Sequence, residues 1–264
     1  MRLVLLGVRG STPAPGGEFL RYGGHTSCVA VIPEGSATPT LVLDAGTGLR
    51  ELGGLLSGAA FTGSIMLSHL HWDHVQGLPF CPAIDRADAR VDLYLPDAAP
   101  EETLRRGMSP PHFPIGPDDL LGTWRFLPAV SGVVEEFVVT VASVEHKGGL
   151  TYGIRVEADG VSFAYLPDHA PQLGSAAATV LAADVDLLLH DGHFLADEGD
   201  IADAYGHSTV PHALDFADRC GARRVVLTHC APGRTDDELD ALAKELAGNA
   251  RPVELARQGA VLTI

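Results

Sequence analysis

The sequence predicts an α/β protein in which buried strands alternate with helices and end in residues that carry chemistry. Apolar segments such as 185–189 and 223–227 have the length and composition of buried strands. Segment 209–220 has a helical pattern and lies between these two strands. Strand after strand stops at a His or an Asp, where a rigid scaffold usually presents functional groups. The 264 residues are 46% hydrophobic and can bury a sizeable core, so we expect a single domain over residues 1–264.

The predicted elements follow the chain in order. Strands are expected at residues 2–8, 28–32, 40–43, 65–67, 91–95, 133–143, 152–157, 161–166, 185–189 and 223–227, and as a pair within 251–264. Helices are expected at residues 49–56, 175–183, 209–220 and 235–247. Ser208 or Thr209 can cap the third helix, and Asp159-Gly160 predicts the turn of a hairpin between 152–157 and 161–166. Residues 77–84 should form a short helix or loop, and residues 96–123 should be rich in loops.

The charge balance limits the classes of partner. The net charge of -16 comes from 34 acidic residues against 18 Lys plus Arg, which opposes broad binding to the backbone of long nucleic acids. A small anion drawn to a metal site is compatible with it, because the ions dominate the local field. The four cysteines have no paired spacing and are expected to be free thiols. The short apolar start, interrupted by Arg9, and the lack of a membrane-length segment lead us to expect a cytoplasmic protein.

Segment 68–74, with the sequence SHLHWDH, carries the strongest functional signal. It directly follows the strand predicted at residues 65–67. Alternation along an extended chain puts His69 and His71 on one side, where both imidazoles reach a single ion. Asp73 and His74 follow in the turn and can face a second ion. The alternative is a polar turn with ordinary surface histidines. Imidazole and carboxylate suit zinc or a neighbouring transition metal such as manganese, and do not suit calcium.

Four later strands end in similar residues. Their ends lie at His146, Asp168, Asp191 and His229. If the parallel ends gather at one edge of a pair of sheets, these side chains converge with segment 68–74.

These residues together resemble the metallo-β-lactamase superfamily over essentially the full chain. The resemblance implies a four-layer αββα metallo-β-lactamase sandwich with a dimetal site at one edge of the two sheets. It implies that His69, His71 and His146 bind the first metal, that Asp73, His74 and His229 bind the second, and that Asp168 bridges them. It also implies two divalent ions, Zn²⁺ or alternatively Mn²⁺, and a homodimer.

Further segments resemble one branch of the superfamily. Asp191 after a buried strand, followed by His207-Ser208-Thr209, is similar to the ribonuclease Z-like branch. The segments 7–13 (GVRGSTP) and 22–28 (YGGHTSC) resemble its small-phosphodiesterase members, which include cyclic-nucleotide phosphodiesterases. The sequence departs from the pattern at His25, where an amide is usual, and at Asp191, where ribonuclease Z has Glu.

The implied activity is metal-dependent hydrolysis of a small, possibly cyclic, nucleotide-like phosphodiester. Two ions can hold a hydroxide between them and clamp the diester for in-line attack. We expect Asp73, His207 and Asp191 to be catalytic, with His207 protonating the leaving alkoxide and Asp191 orienting its ring. Alternatively, His207 only satisfies backbone groups at a helix start, and Asp191 orients a metal-bound imidazole.

Other functions remain open on the same sequence. They are an endonuclease of the tRNA 3′-processing type, a carboxyl- or thioester hydrolase or lactonase, and a non-catalytic carrier. Segment 108–114 (MSPPHFP) is either a packed connection or a wall or lid of the active site. His25, His112 and His193 are candidates for lining the pocket. The glycine turn at 44–48 is expected to lie beneath the metal site rather than to cradle a phosphate.

Overall fold

Two mixed β-sheets form the centre of the molecule. The computed structural model describes residues 1–174 and 176–264. The strands within these residues are β1 (Arg2–Gly7), β2 (Cys28–Ile32), β3 (Leu41–Leu43), β4 (Thr62–Met66), β5 (Arg90–Leu95), β6 (Thr123–Pro128), β7 (Gly132–Val134), β8 (Phe137–Ser143), β9 (Tyr152–Ala158), β10 (Val161–Leu166), β11 (Leu187–Asp191), β12 (Val225–Thr228), β13 (Val253–Leu255) and β14 (Val261–Thr263).

Each sheet has an antiparallel part and a parallel part. The first sheet runs β14-β1-β2-β3-β4-β5-β6, and its pairs from β3 to β6 are parallel. The second runs β13-β12-β11-β10-β9-β8-β7, and its pairs from β10 to β13 are parallel. Because parallel strands end at the same edge of a sheet, the loops after β4, β10, β11 and β12 are brought together.

Helices lie on the outer faces of both sheets. They are α1 (Leu52–Leu55), α2 (Trp72–Val75), α3 (Pro100–Gly107), α4 (Ala176–Leu181), α5 (Gly199–Tyr205), α6 (Val210–Cys220) and α7 (Asp236–Leu246). Of these, α2 lies at the edge where the parallel strands end. A central core with residues such as Leu3, Leu43, Val156 and Leu189 fills the space between the sheets. Separate cores lie beneath α1 on one side and beneath α4 and α6 on the other. The order is therefore helix, sheet, sheet, helix, and the predicted αββα sandwich is confirmed.

Local signals explain the best-predicted elements. Asp159 and Gly160 both have positive φ, as the tight turn between β9 and β10 requires. Helix α6 begins after Thr209, whose hydroxyl accepts a hydrogen bond from the backbone N–H of His212. Helix α4 falls within the range predicted at 175–183, of which Ser175 lies outside the described residues.

Several expectations were wrong. The segment 133–143 is not one strand, because the chain turns at Glu135, where φ is 52°, and pairs β7 with β8. The two C-terminal strands do not pair with each other: β13 extends the second sheet beside β12, whereas β14 joins the first sheet beside β1. The predicted helix at 49–56 is a 3-10 turn over Thr47–Glu51 followed by α1. The region 96–123 is rich in loops, as expected, but it also contains α3.

Two further properties bear on the sequence expectations. No helix in the described residues has the length and apolar composition that a membrane crossing requires. The four cysteines are free thiols, with three buried and Cys230 partly buried.

Candidate metal centre

The edge where the parallel strands end holds a first group of three histidines. His69 and His71 lie in the loop between β4 and α2, and His146 follows β8. The His146 Nε2 atom lies 3.3 Å from His71 Nδ1, and the ring centroids of His69 and His71 are 4.4 Å apart. One nitrogen of each ring lies within 4.8 Å of the other two, as a common metal ion requires.

A second group lies beside the first. Asp73 and His74 belong to α2, and His229 follows β12 in a strained backbone conformation with φ of 57°. His229 Nε2 lies 3.0 Å from Asp73 Oδ2 and 3.3 Å from His74 Nε2. The backbone N–H of Ser11 donates to Asp73 Oδ2 over 2.8 Å and fixes the carboxylate. These three side chains can also hold one ion.

Asp168 stands between the two groups. It follows β10 and is almost fully buried. Its Oδ1 atom lies 3.6 Å from His146 Nε2, whereas its Oδ2 atom lies 3.0 Å from His74 Nε2. Each carboxylate oxygen therefore faces a different group, which is the geometry of a bridging ligand. The structure brings all seven predicted ligands together, and their binding of metal stays a prediction.

The buried polar atoms of this cluster fit a pair of metal ions. His69 Nε2 is buried without a hydrogen-bond partner among the described residues, and the buried Asp168 Oδ2 faces only the ring nitrogens of His74 and His229. Buried polar atoms normally have partners, and a cation would satisfy both. His146 Nδ1 lies 2.7 Å from the carbonyl oxygen of Gly206 and His74 Nδ1 lies 2.7 Å from Asp44 Oδ2, so each ring turns Nε2 toward the cluster.

Asp44 is a candidate supporting residue of the site that the sequence did not reveal. Its carboxylate is fully buried. Oδ1 accepts the backbone N–H of Ser68 at 2.7 Å, and Oδ2 accepts the Tyr165 hydroxyl at 2.8 Å in addition to the His74 contact. Asp44 therefore orients a candidate ligand from behind. Nothing in the sequence beyond its position directly after β3 marks Asp44, and its φ of 59°, uncommon for a non-glycine residue, is seen only in the structure.

For most of these side chains, the surroundings favour the protonation state that metal binding requires. Burial and the neighbouring imidazole of His74 hold the pKa of His69 well below its usual range, so its ring is neutral. Burial opposes ionisation of Asp168, but positive charge on the neighbouring imidazoles of His229 and His74 outweighs it and holds the pKa of that carboxyl well below normal. His74 is the exception among these groups: burial lowers its pKa, but the carboxylates of Asp168 and Asp44 raise it well above normal, so a metal would have to displace its proton. Neutral imidazoles and ionised carboxylates are the forms that bind metal ions.

A candidate proton donor, His207, lies at the wall of the cluster. His207 precedes α6, and its Nδ1 atom lies 2.8 Å from Asp191 Oδ2 at the end of β11. Burial lowers the pKa of His207, but the Asp191 carboxylate more than compensates and raises it to about 9. The contact matches the orientation predicted for this pair. His193 stacks on the His207 ring at 4.5 Å between centroids and joins His207 and His229 in a third group of potential ligands.

The loops around the cluster approach it closely. A Cβ atom at Gly10 would lie 2.5 Å from the ring of His229, so only glycine permits this approach of the first loop. The backbone N–H of Ala45 donates to the carbonyl of His74 over 2.8 Å. The turn at 44–48 therefore supports the metal centre from beneath, as expected.

Two adjoining cavities open above the cluster. The first, of about 500 Å³, is lined by five of the seven candidate ligands together with Lys147 and Tyr205. The second, of about 540 Å³, shares Leu70 and Trp72 with the first and includes Met108, His112 and Phe113 in its wall. Segment 108–114 thus forms a wall beside the site. His25 instead packs near Thr47, with its Nδ1 atom 3.2 Å from the threonine hydroxyl.

Known proteins share both the sequence pattern and the fold. A ribonuclease Z from Salinibacter ruber is 28% identical over 272 residues, covering 78% of this chain and 79% of that protein. Other ribonuclease Z proteins match over shorter segments that span only 17% to 29% of their length. The metallo-β-lactamase fold protein YhfI from Bacillus subtilis superposes with a TM-score of 0.75 at 21% identity, covering 99% of both chains. A diphosphatase from the PhnP family gives a TM-score of 0.73 at 17% identity, covering 100% of this chain and 97% of the other.

The family profile carries the assignment. The family model described as a β-lactamase superfamily domain matches residues 40–230. This range runs from β3 to the loop after β12 and includes every predicted metal ligand. The chain belongs to the metallo-β-lactamase superfamily of metal-dependent hydrolases.

Proposed function

We propose that the protein is a dimetal phosphodiesterase that hydrolyses a small nucleotide-like diester. The observation that carries this proposal is the hydrogen-bonded His207–Asp191 pair at the edge of the cluster, where His207 Nδ1 also lies 3.7 Å from Asp168 Oδ1. A diester with an alkoxide leaving group needs a proton at the departing oxygen, and an imidazole can supply it near neutral pH.

The ligand assignment is part of the proposal. His69, His71 and His146 would hold one ion, Asp73, His74 and His229 the other, and Asp168 would contact both. Zinc fits this nitrogen- and oxygen-rich set, and manganese is the alternative. Two bound cations would supply an acidified water and neutralise the charge that develops on the phosphoryl oxygens.

The side chains of the site carry out the proton transfers of the proposed reaction. Water attacks the phosphorus as the bond to the leaving oxygen breaks, and the leaving alkoxide takes the proton from His207 Nε2. Asp191 holds the His207 ring through Nδ1, which leaves Nε2 as the nitrogen that would give up the proton. In this proposal Asp73, whose Oδ2 accepts the Ser11 N–H, takes the proton of the attacking water.

A leaving-group comparison tests the role of His207. Nitrophenolate departs without a proton, whereas the alkoxide of a cyclic nucleotide needs one. We expect His207→Ala to lower kcat/KM for 2′,3′-cyclic AMP by about 100-fold or more, in line with the typical 10²–10⁴-fold of general acid catalysis. Activity on bis(p-nitrophenyl) phosphate should fall much less. His212→Ala, on α6, is the matched histidine control.

The class of reaction is tested by the metal-loaded protein itself. Turnover of bis(p-nitrophenyl) phosphate should require zinc or manganese and should disappear on chelation or in His69→Ala. Equal background rates in the unaltered and His69→Ala proteins would rule out the proposed activity.

The similarity to ribonuclease Z proteins favours a second candidate, an endonuclease of the tRNA 3′-processing type. The net charge of -16 disfavours it, because long RNA is held by basic surfaces. Cleavage of a precursor tRNA at physiological salt, faster than cleavage of cyclic nucleotides, would favour this candidate. Turnover of a thioester or lactone in place of either would assign the protein to the carboxyl-hydrolysing members of the fold.

A further inference from the structure

We propose that Trp72 and the groove beside it form a subsite that binds the nucleobase of the substrate. This inference rests on the proposed phosphodiesterase function and specifies which ester group the enzyme recognises. The groove is the second cavity described above, of about 540 Å³, which lies within the size range of small-molecule sites.

The exposure of Trp72 is the first observation. Its side chain is 80% exposed, although it stands between the candidate ligands His71 and Asp73. An indole can bury 150–250 Å² of largely apolar surface when it is covered. Most of that surface is in contact with water here, so a flat ligand would gain by stacking on it.

The position of Trp72 is the second observation. It is one residue from a candidate ligand on each side, and consecutive Cα atoms are only 3.80 Å apart. Trp72 and Leu70 line both the cavity above the cluster and the groove. A group lying on the indole would therefore belong to the ester attached to the phosphorus at the metal centre.

The remaining walls suit a planar ring with polar edges. Phe80 and Phe113 meet edge to face with ring centroids 5.6 Å apart, and Phe80 is 63% exposed. The amide of Gln76 and the hydroxyl of Thr103 also line the groove and can pair with ring nitrogens and carbonyls. Arg106 adds a positive charge at the same wall, in a chain whose net charge is strongly negative. Aromatic faces with a few polar groups are the means by which proteins hold unpaired bases.

A fluorescence titration tests the contact directly. The chain has two tryptophans, and Trp124 packs against Phe126 with its indole N–H donating to the carbonyl of Leu121. In metal-loaded Trp124→Phe protein, the emission comes from Trp72 alone. Adenosine 5′-monophosphate should quench it saturably, whereas ribose 5-phosphate, which lacks only the base, should not. Equal quenching by both, or none by either, overturns the subsite.

Inhibition constants provide the second measurement. Stacking of one base is worth about 1–3 kcal/mol, so adenosine 5′-monophosphate should inhibit diester hydrolysis about 5- to 150-fold more strongly than ribose 5-phosphate. Trp72→Ala should remove this advantage and Trp72→Phe should keep part of it. Val180→Ala, which shortens another apolar side chain of similar exposure on α4, should leave it unchanged.

The outcomes separate the two proposals. If diesters are hydrolysed but the two phosphates inhibit equally, the subsite is wrong and the phosphodiesterase stands. If an alkyl phosphate such as hexyl phosphate matches adenosine 5′-monophosphate, the groove binds apolar chains and the nucleobase assignment is wrong. If no diester is hydrolysed, the proposed function fails, and the fluorescence titration still decides whether Trp72 binds a base.

Discussion

Replacing Asp44 by Asn should weaken the metal centre without removing a ligand. The two side chains have the same shape, but the amide has one acceptor oxygen where the carboxylate has two. At the Oδ2 position the new NH₂ group would face His74 Nδ1 and the Tyr165 hydroxyl. At the Oδ1 position it would face the backbone N–H of Ser68, which cannot rotate away. Either placement sets a buried donor against a donor.

The magnitude follows from these contacts. One unsatisfied buried donor costs about 1–3 kcal/mol, which corresponds to about 5- to 150-fold in an equilibrium constant. Loss of a partner behind a ligand typically costs about 10–100-fold in metal affinity, which agrees with that range. We therefore expect the zinc affinity of Asp44→Asn to fall about 10–100-fold. The free energy of unfolding of metal-free protein should fall by about 1–3 kcal/mol.

Competition with a chromophoric chelator measures the affinity, and urea unfolding measures the stability. Asp186→Asn is the matched control, because Asp186 accepts the backbone N–H of Ser162 and pairs with Arg223 just before the start of β11, the end away from the cluster. It should leave zinc affinity unchanged. If Asp44→Asn loses stability yet binds zinc as tightly as the unaltered protein, Asp44 supports the fold alone and the orientation argument is refuted.

Three further predictions concern the scaffold. Gly46→Ala would put a Cβ atom 2.2 Å from the carbonyl oxygen of Asp73. We therefore expect the free energy of unfolding in urea to fall by at least about 1–3 kcal/mol and zinc binding to weaken. An unchanged zinc affinity would contradict the close approach. Thr235→Ala removes the acceptor of the Glu238 N–H in the capping box of α7 and should cost about 1 kcal/mol of stability with no change in activity. Burial raises the pKa of Cys220 to about 11, so little of this thiol is ionised at pH 8. Its reaction with an aromatic disulfide, followed by mass spectrometry, should be slow at pH 8 and should become about tenfold faster per pH unit toward pH 10. Reaction at the rate of a free thiol would show that Cys220 is accessible.

The elements that could be predicted are those with strong local signals. The strands β2 and β10 were predicted with their observed bounds, because each is a wholly or largely apolar run. The convergence of residues after β4, β10, β11 and β12 followed from the recurrence of His and Asp at strand ends, combined with the rule that parallel ends share an edge.

The elements that were missed lack an apolar pattern. Helix α3 buries only Leu104 among its eight residues, so no repeated apolar positions mark it. The signal it does carry is the i,i+4 spacing of Glu101 with Arg105 and of Glu102 with Arg106, which the sequence analysis did not use. Strand β6 lies at the edge of its sheet, where none of its residues is fully buried. Asp44 could not be recognised as a functional residue, since its partner Tyr165 is 121 residues away along the chain.

Asp168, Asp191 and His229 lie at the ends of three neighbouring parallel strands. This placement has a consequence for how the site can change during evolution. Adjacent strands are separated by about 4.8 Å, a distance fixed by backbone hydrogen bonding. The separation of these three side chains is thereby inherited from the sheet and does not depend on the loops that cross above it. Loops such as the wall at 108–114 are free to diversify and to select new substrates while the interatomic spacing needed for hydrolysis is preserved.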